Sequence, residues 1–186
     1  MTTLTDPPTS TEHGLHVERI VADTIEYALG PLDAAARWLA ERGIEQWPMS
    51  FTESPKRVGW LSEQADDGNV YVWTALGSNP IATITVTPWQ DPDFAAAWPD
   101  RDAHAQYVAR FAVAPTGRRL FPGLGAKMLD FAAETAVSRG ADVLRLDCSK
   151  QNDRLHEYYR DRGFTQVGRV DYERRKSGAL FERRLP

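Results

Sequence analysis

Apolar and polar positions divide the chain into strand-like and helix-like runs. Residues 15–21 (LHVERIV) alternate at the period of a half-buried strand. Pro31 then opens a helical run, DAAARWLAERG, which Gly43 closes. Proline in the first turn and glycine just past the end is the asymmetry helices favour. Residues 46–49 form a turn-rich connector, and 55–65 (PKRVGWLSEQA) a second, weaker helix. Asp67 and Gly68 mark a turn. Residues 70–76 and 81–86 read as strands of one hairpin around the turn at 77–80. Residues 89–102 are an irregular, tryptophan-bearing loop, and 106–114 (QYVARFAVA) a strand with Tyr107, Ala109, Phe111 and Val113 on one face. A helix from about 124 to 139 carries an apolar stripe and ends at Gly140. Residues 143–148 (VLRLDC) are a strand, 152–162 a helix closed by Gly163, 164–170 a strand and 178–184 a final one.

That order, β-α-α-β-β-β-α-β-α-β-β, describes an α/β fold with a mixed sheet rather than a uniformly alternating parallel one. Residues 1–13 are polar and rich in threonine and proline. They lack the basic start and apolar segment of a signal peptide. They read as a disordered tail ahead of one domain at 14–186.

Composition narrows the function. With 42% hydrophobic and 26% charged residues, the chain has the make-up of a soluble globular protein. A formal net charge of -4 disfavours a nucleic-acid partner, which needs basic patches. One cysteine, Cys148, allows neither an internal disulfide nor a cysteine-based metal site, and no metal is expected. No apolar run approaches the ~18 residues of a membrane span, so no membrane partner is expected and the cytoplasm is the default location.

The stretch FPGLGAKMLDFAAETAVSRG, residues 121–140, poses a chemical question. Gly123 and Gly125 precede a helix, where glycine costs about 1 kcal/mol relative to alanine. A strand, a glycine-rich turn and a helix start form an anion site, because free amides and the helix dipole favour negative charge. Arg118 and Arg119 at its entrance can add charge-assisted bonds to phosphate. A phosphate-binding Walker loop would need Gly-Lys-Ser/Thr, and a dinucleotide fingerprint would need glycine at Met128. A tight turn without ligand uses the same glycines, so the loop alone leaves both readings open.

The loop in its setting is more specific. The strand, loop and helix, then VLRLDC, then N-x-x-L-x-x-Y-Y-x-x-x-G-F from Asn152 to Phe164, together resemble the GNAT family of N-acetyltransferases. RWLAERGIEQWP and RLDCSKQNDRLHEYYRDRGFTQVG are similar to stretches of a bacterial, notably actinobacterial, subgroup. The resemblance runs from about Leu15 onward. It implies a mixed, mostly antiparallel sheet flanked by helices, with splayed central strands. It also implies acetyl-coenzyme A as cofactor and direct transfer to a primary amine in a ternary complex. The family's loop pattern is Arg/Gln-x-x-Gly-x-Gly/Ala; Gly123 and Gly125 match it, whereas its first position falls on Leu120.

By the same resemblance, Gly123, Leu124, Gly125 and Ala126 hold the pyrophosphate, aided by Arg118 or Arg119. Phe111, Ala112 and Val113 pair with the pantetheine as an added strand, the Phe111 amide facing the oxyanion. Asn152 either contacts the pantetheine or simply caps its helix. Tyr159, four residues before Gly163, takes the place of the general acid, and Tyr158 that of a core residue. Trp47, Trp89, Tyr107 and Arg110 are expected to line the acceptor side. Asp147, Asp91, His104 or a water relay stand as candidate bases. Cys148 reads as a buried, inert thiol. The expected partner is a small-molecule amine or an amino-terminal substrate, and a homodimer is left open. The alternative reading is a non-catalytic acyl-coenzyme A-binding or sensing module on the same fold.

Overall fold

Pro31 does not open its helix. In the computed structural model, which describes residues 11–12 and 14–186, a 3-10 turn at Ala22–Thr24 leads into α1 (Glu26–Ala40), with Pro31 inside it. The proline deprives the helix of one backbone bond. In return, Ala28, Leu29, Leu32, Ala35 and Ala36 are all buried, on one helical stripe. Gly43 past its end has φ 68, as its place in the sequence predicts.

The described chain divides into two compact units. One comprises the described residues up to 85 together with 110–128, and the other comprises 86–109 and 129–186. In the first unit β1 (Thr11–Glu12), β2 (Leu15–Arg19), β3 (Val70–Ala75) and β4 (Pro80–Thr87) form an antiparallel meander. Val17 faces Trp73, and Val72 faces Thr83. The expected 70–86 hairpin is therefore present. The expected tail at 1–13 lies outside the described residues, except that Thr11–Glu12 pair with β2. α1, α2 (Pro55–Asp66) and the loop bearing Phe51 bury a core of Ile20, Leu29, Leu32, Phe51, Leu61 and Val72.

In the second unit β5 (Ala105–Val113) enters beside β6 (Val143–Ser149) in parallel, 105–108 against 143–146. β8 (Ser177–Arg184) runs antiparallel to β6, and β7 (Thr165–Arg169) antiparallel to β8. The strand order reads β1-β2-β3-β4-β5 in the first unit and β5-β6-β8-β7 in the second, β5 being common to both. The mixed, mostly antiparallel sheet is the one expected. The β5–β6 ladder ends at Val108 and Leu146, although both strands continue, which is the expected splay.

Two departures concern the site. The segment read as loop holds a short helix, α3 (Pro115–Leu120). It is too short to show a period; proline at its start and docking decide it. A Cβ on Gly117 would lie 2.9 Å from the Ile81 carbonyl oxygen and 3.1 Å from a Val113 methyl. The second departure is in β5. Its expected single face breaks because Arg110 adopts φ 47, and Ala112 and Val113 beyond it are both buried. α4 (Leu124–Ser138) and α5 (Asp153–Arg160) lie where the periodicity places them. Among the described residues no helix is long and apolar enough to cross a membrane, and no cluster of ligands suits a metal ion.

Candidate active site

The residues expected to hold a cofactor, apart from Asn152, all lie in the first unit. Ala112 and Val113 are buried and Phe111 is half-buried. The Ala114 amide donates to Ile81 O at 2.8 Å, tying the end of β5 to β4. Arg118 turns back: its Nε donates to Val113 O at 3.0 Å and its guanidinium lies 4.2 Å over the Trp38 ring. Arg118, Arg119 and Leu120 are all exposed, Arg118 in spite of these contacts.

The chain then turns through Gly123 at φ 85, where a Cβ would meet nothing within 4 Å. Conformation, not crowding, calls for glycine there. The Leu124 amide donates to Phe121 O and the Ala126 amide to Gly123 O, while the Leu124 side chain is core. The Gly123 and Gly125 amides have no backbone acceptor among the described residues. Gly125 sits inside the first turn of α4, where backbone shape does not demand glycine.

Of the expected acceptor-side residues, Trp47 and Arg110 belong to this unit. Trp47 is half-buried, its ring edge-on to Phe51 at 5.3 Å. The Arg110 guanidinium lies over Phe51 at 5.4 Å and over Trp60 at 5.1 Å. The loop carrying Phe51 is fastened by Asp33 of α1, which accepts from the Ser50 and Thr52 hydroxyls and from the Phe51 amide. Burial alone would raise the Asp33 carboxyl; the Thr52 hydroxyl, the Phe51 amide, the Ser50 hydroxyl and the Thr52 amide outweigh it and hold the group below its usual range.

The second unit carries the candidate acid. Asn152 caps α5, its side chain accepting from the Leu155 amide at 3.1 Å. Tyr159 is 6% exposed, its ring against Phe164 and Phe181 at 5.8 and 5.7 Å. Of the two tyrosines it is Tyr159, not Tyr158, that is buried. Tyr158 is the half-buried one, with Arg162 stacked 3.6 Å over its ring. Helix rotation separates adjacent residues by about 100°, but cannot say which of two neighbours faces inward. Burial, then Cys148, Tyr158 and Asp147, push the Tyr159 phenol well above its ordinary value. It is a neutral hydroxyl with a proton to give. Cys148 is buried, its thiol pushed up to about 12 by burial and then by Asp147.

The candidate bases separate. Asp91 is gripped by both terminal nitrogens of Arg175, at 2.6 and 3.1 Å. His104 is exposed and precedes β5, at the end of the strand away from Arg110. Asp147 is half-buried on β6. Tyr107 accepts from Arg145 at 3.3 Å and lies edge-on to Trp98. It is thus tied to a buried Arg145–Glu182 ion pair of 2.9 Å. Trp89 is 42% exposed. The sequence reading overlooked Asp33, Phe51 and Trp60. Only the fold brings Phe51 and Trp60 to Arg110, with Asp33 fastening the Phe51 loop.

Residues 32–164 match the family described as the acetyltransferase (GNAT) family. The uncharacterized N-acetyltransferase YesJ of Bacillus subtilis is 28% identical over 156 residues, covering 83% of this chain and 84% of that one. A GNAT-family acetyltransferase from Listeria monocytogenes superposes with TM-score 0.72 at 22% identity, over 95% of this chain and 99% of that one. YncA from Salmonella typhimurium, solved with its cofactor acetyl-CoA, gives TM-score 0.62 at 17% identity, over 92% and 94% of the two chains.

Proposed function

The chain belongs to the acetyltransferase (GNAT) family, and from that premise we propose that it moves an acetyl group from acetyl-coenzyme A to a primary amine by direct transfer in a ternary complex. The acceptor class is a small-molecule amine or an amino terminus. The observation that carries the reading is the glycine turn into α4, where the Gly123 and Gly125 amides have no backbone acceptor among the described residues. Two such donors at the start of a long helix suit a pyrophosphate. Phe111, Ala112 and Val113 hold the pantetheine through their backbone, and Asn152 adds a contact to it beyond its capping bond. The first position of the family's loop pattern is Leu120 here, so the loop charge falls to Arg119.

Tyr159 gives its proton to the departing thiolate. The phenol carries its proton at neutral pH, and burial makes it a weaker acid than a free tyrosine, so the donation relies on its placement beside the thiolate. Asp147, directly or through a water, takes the proton of the incoming amine. The burial and raised thiol of Cys148 support direct transfer rather than an acetyl-cysteine intermediate.

Calorimetry and thermal unfolding with acetyl-coenzyme A test the reading. Ligand at one hundred times its dissociation constant stabilises the folded state by ~2.7 kcal/mol. An unchanged unfolding temperature at millimolar acetyl-coenzyme A would refute it. A protein that binds but acetylates nothing across amine classes would instead be the non-catalytic module.

A further inference from the structure

Arg110 is the one non-glycine residue with positive φ among the described residues. Side chains at such a position clash with their own backbone, so glycine or asparagine is usual there and arginine is not. A strained residue persists only where its surroundings over-determine it. The guanidinium lies over two aromatic rings, Phe51 and Trp60, at 5.4 and 5.1 Å. Phe51 is 1% exposed and pinned through its own amide to Asp33, which also accepts from Ser50 and Thr52. Trp47 packs edge-on against Phe51 at 5.3 Å. The chain from α1 to Phe51 to Arg110 is thus a continuous set of fixed contacts.

What the clamp fixes is the direction of the backbone beyond it. Arg110 immediately precedes Phe111, Ala112 and Val113. A residue in the left-handed region rotates the peptide that follows it and twists the strand, as in a bulge. We infer that Arg110 is a positioning residue: its guanidinium, held by Phe51 and Trp60, sets the peptide plane of Phe111 so that its amide can meet the acetyl carbonyl. This rests on the acetyltransferase reading and deepens it. It assigns Arg110 a role through the backbone, in place of the expected lining of the acceptor side.

The test needs no acceptor. Coenzyme A and acetyl-coenzyme A are titrated separately into wild type, Arg110→Gly and Trp60→Leu. Arg110→Gly relieves the backbone strain and removes the guanidinium from the clamp; Trp60→Leu removes one face of the clamp and leaves residue 110 intact. Wild type is expected to bind acetyl-coenzyme A several-fold more tightly than coenzyme A. Both variants should bind coenzyme A within about threefold of wild type and lose the preference for the acetylated form. Once an acceptor is in hand, both should lower kcat by at least about tenfold with little change in KM for acetyl-coenzyme A, as for a weakened oxyanion donor. Arg110→Lys, which keeps charge without a planar stacking face, should recover only part of the rate. An unchanged preference and an unchanged kcat in Arg110→Gly would overturn the inference, as would a wild type with no preference. A wild type that binds neither ligand would instead overturn the acetyltransferase reading.

Discussion

At the scale of residues, the two arginines ahead of the glycine turn separate into different jobs. Arg118 is spent on the protein itself, bonded to Val113 O and stacked on Trp38. Arg118→Ala should therefore lower folding stability by about 1 kcal/mol in a denaturant titration. Arg119 is exposed at the end of α3. Arg119→Ala should leave stability unchanged and weaken coenzyme A binding roughly tenfold or more by calorimetry, the worth of one charge-assisted bond. The opposite pattern would exchange their roles. Tyr159→Phe keeps the ring against Phe164 and Phe181 and removes only the hydroxyl. The fold and the cofactor affinity should persist while kcat drops by roughly 10²–10⁴, the usual contribution of one proton donor. Near-normal turnover with chemistry rate-limiting would make another group the acid.

At the scale of elements, the start of α4 sets stability against binding. Gly125 lies within the helix, so Gly125→Ala should gain roughly 0.5–1 kcal/mol of stability. If the missing side chain is space kept for a pyrophosphate, Gly125→Val should stay folded and lose coenzyme A affinity. Melting curves and calorimetry on the two variants check both halves; a Gly125→Val protein with wild-type affinity would remove the loop from the site. Gly117 behaves otherwise. Its Cβ would press on the Ile81 carbonyl and on Val113, so Gly117→Ala should cost roughly 1–3 kcal/mol. The distinction was invisible in the sequence, where three glycines in nine residues looked alike. Helix α3 between them was equally hidden, because six residues carry too little periodicity to separate a helix from a loop.

At the scale of the whole molecule, the two buried acids set an alkaline limit. Tyr159 and Cys148 both have folded pKa values above their ordinary ones, the thiol at about 12. The fold favours their neutral forms. That contribution is complete below the unfolded values, near ~8.5 for cysteine and ~10 for tyrosine, and is lost as pH rises through the folded ones. Urea midpoints should hold steady from neutral pH to about 9 and fall above it, with Cys148→Ala removing part of the fall. A flat midpoint up to pH 11 would show that neither group is buried as described. How much of this was legible beforehand follows from what each feature depends on. Strands, the hairpin, α4 and α5 were readable because local periodicity and capping residues dictate them, and Asn152 does cap its helix as its position predicts. The glycines before α4 and the tyrosine four residues before Gly163 stood out as residue types at a set spacing. Which of Tyr158 and Tyr159 is buried, which arginine turns back onto Val113 and Trp38, and the gripping of Asp91 by Arg175 were not readable. Each depends on a partner from elsewhere in the chain; Asp91 and Arg175 are separated by 84 positions. Local sequence alone thus dictates the longer strands and helices in their order and the residue types of the candidate site. The left-handed backbone at Arg110 arises only in the folded chain, because arginine's own sterics oppose it and the rings beside its guanidinium come from a loop and from α2, far along the chain.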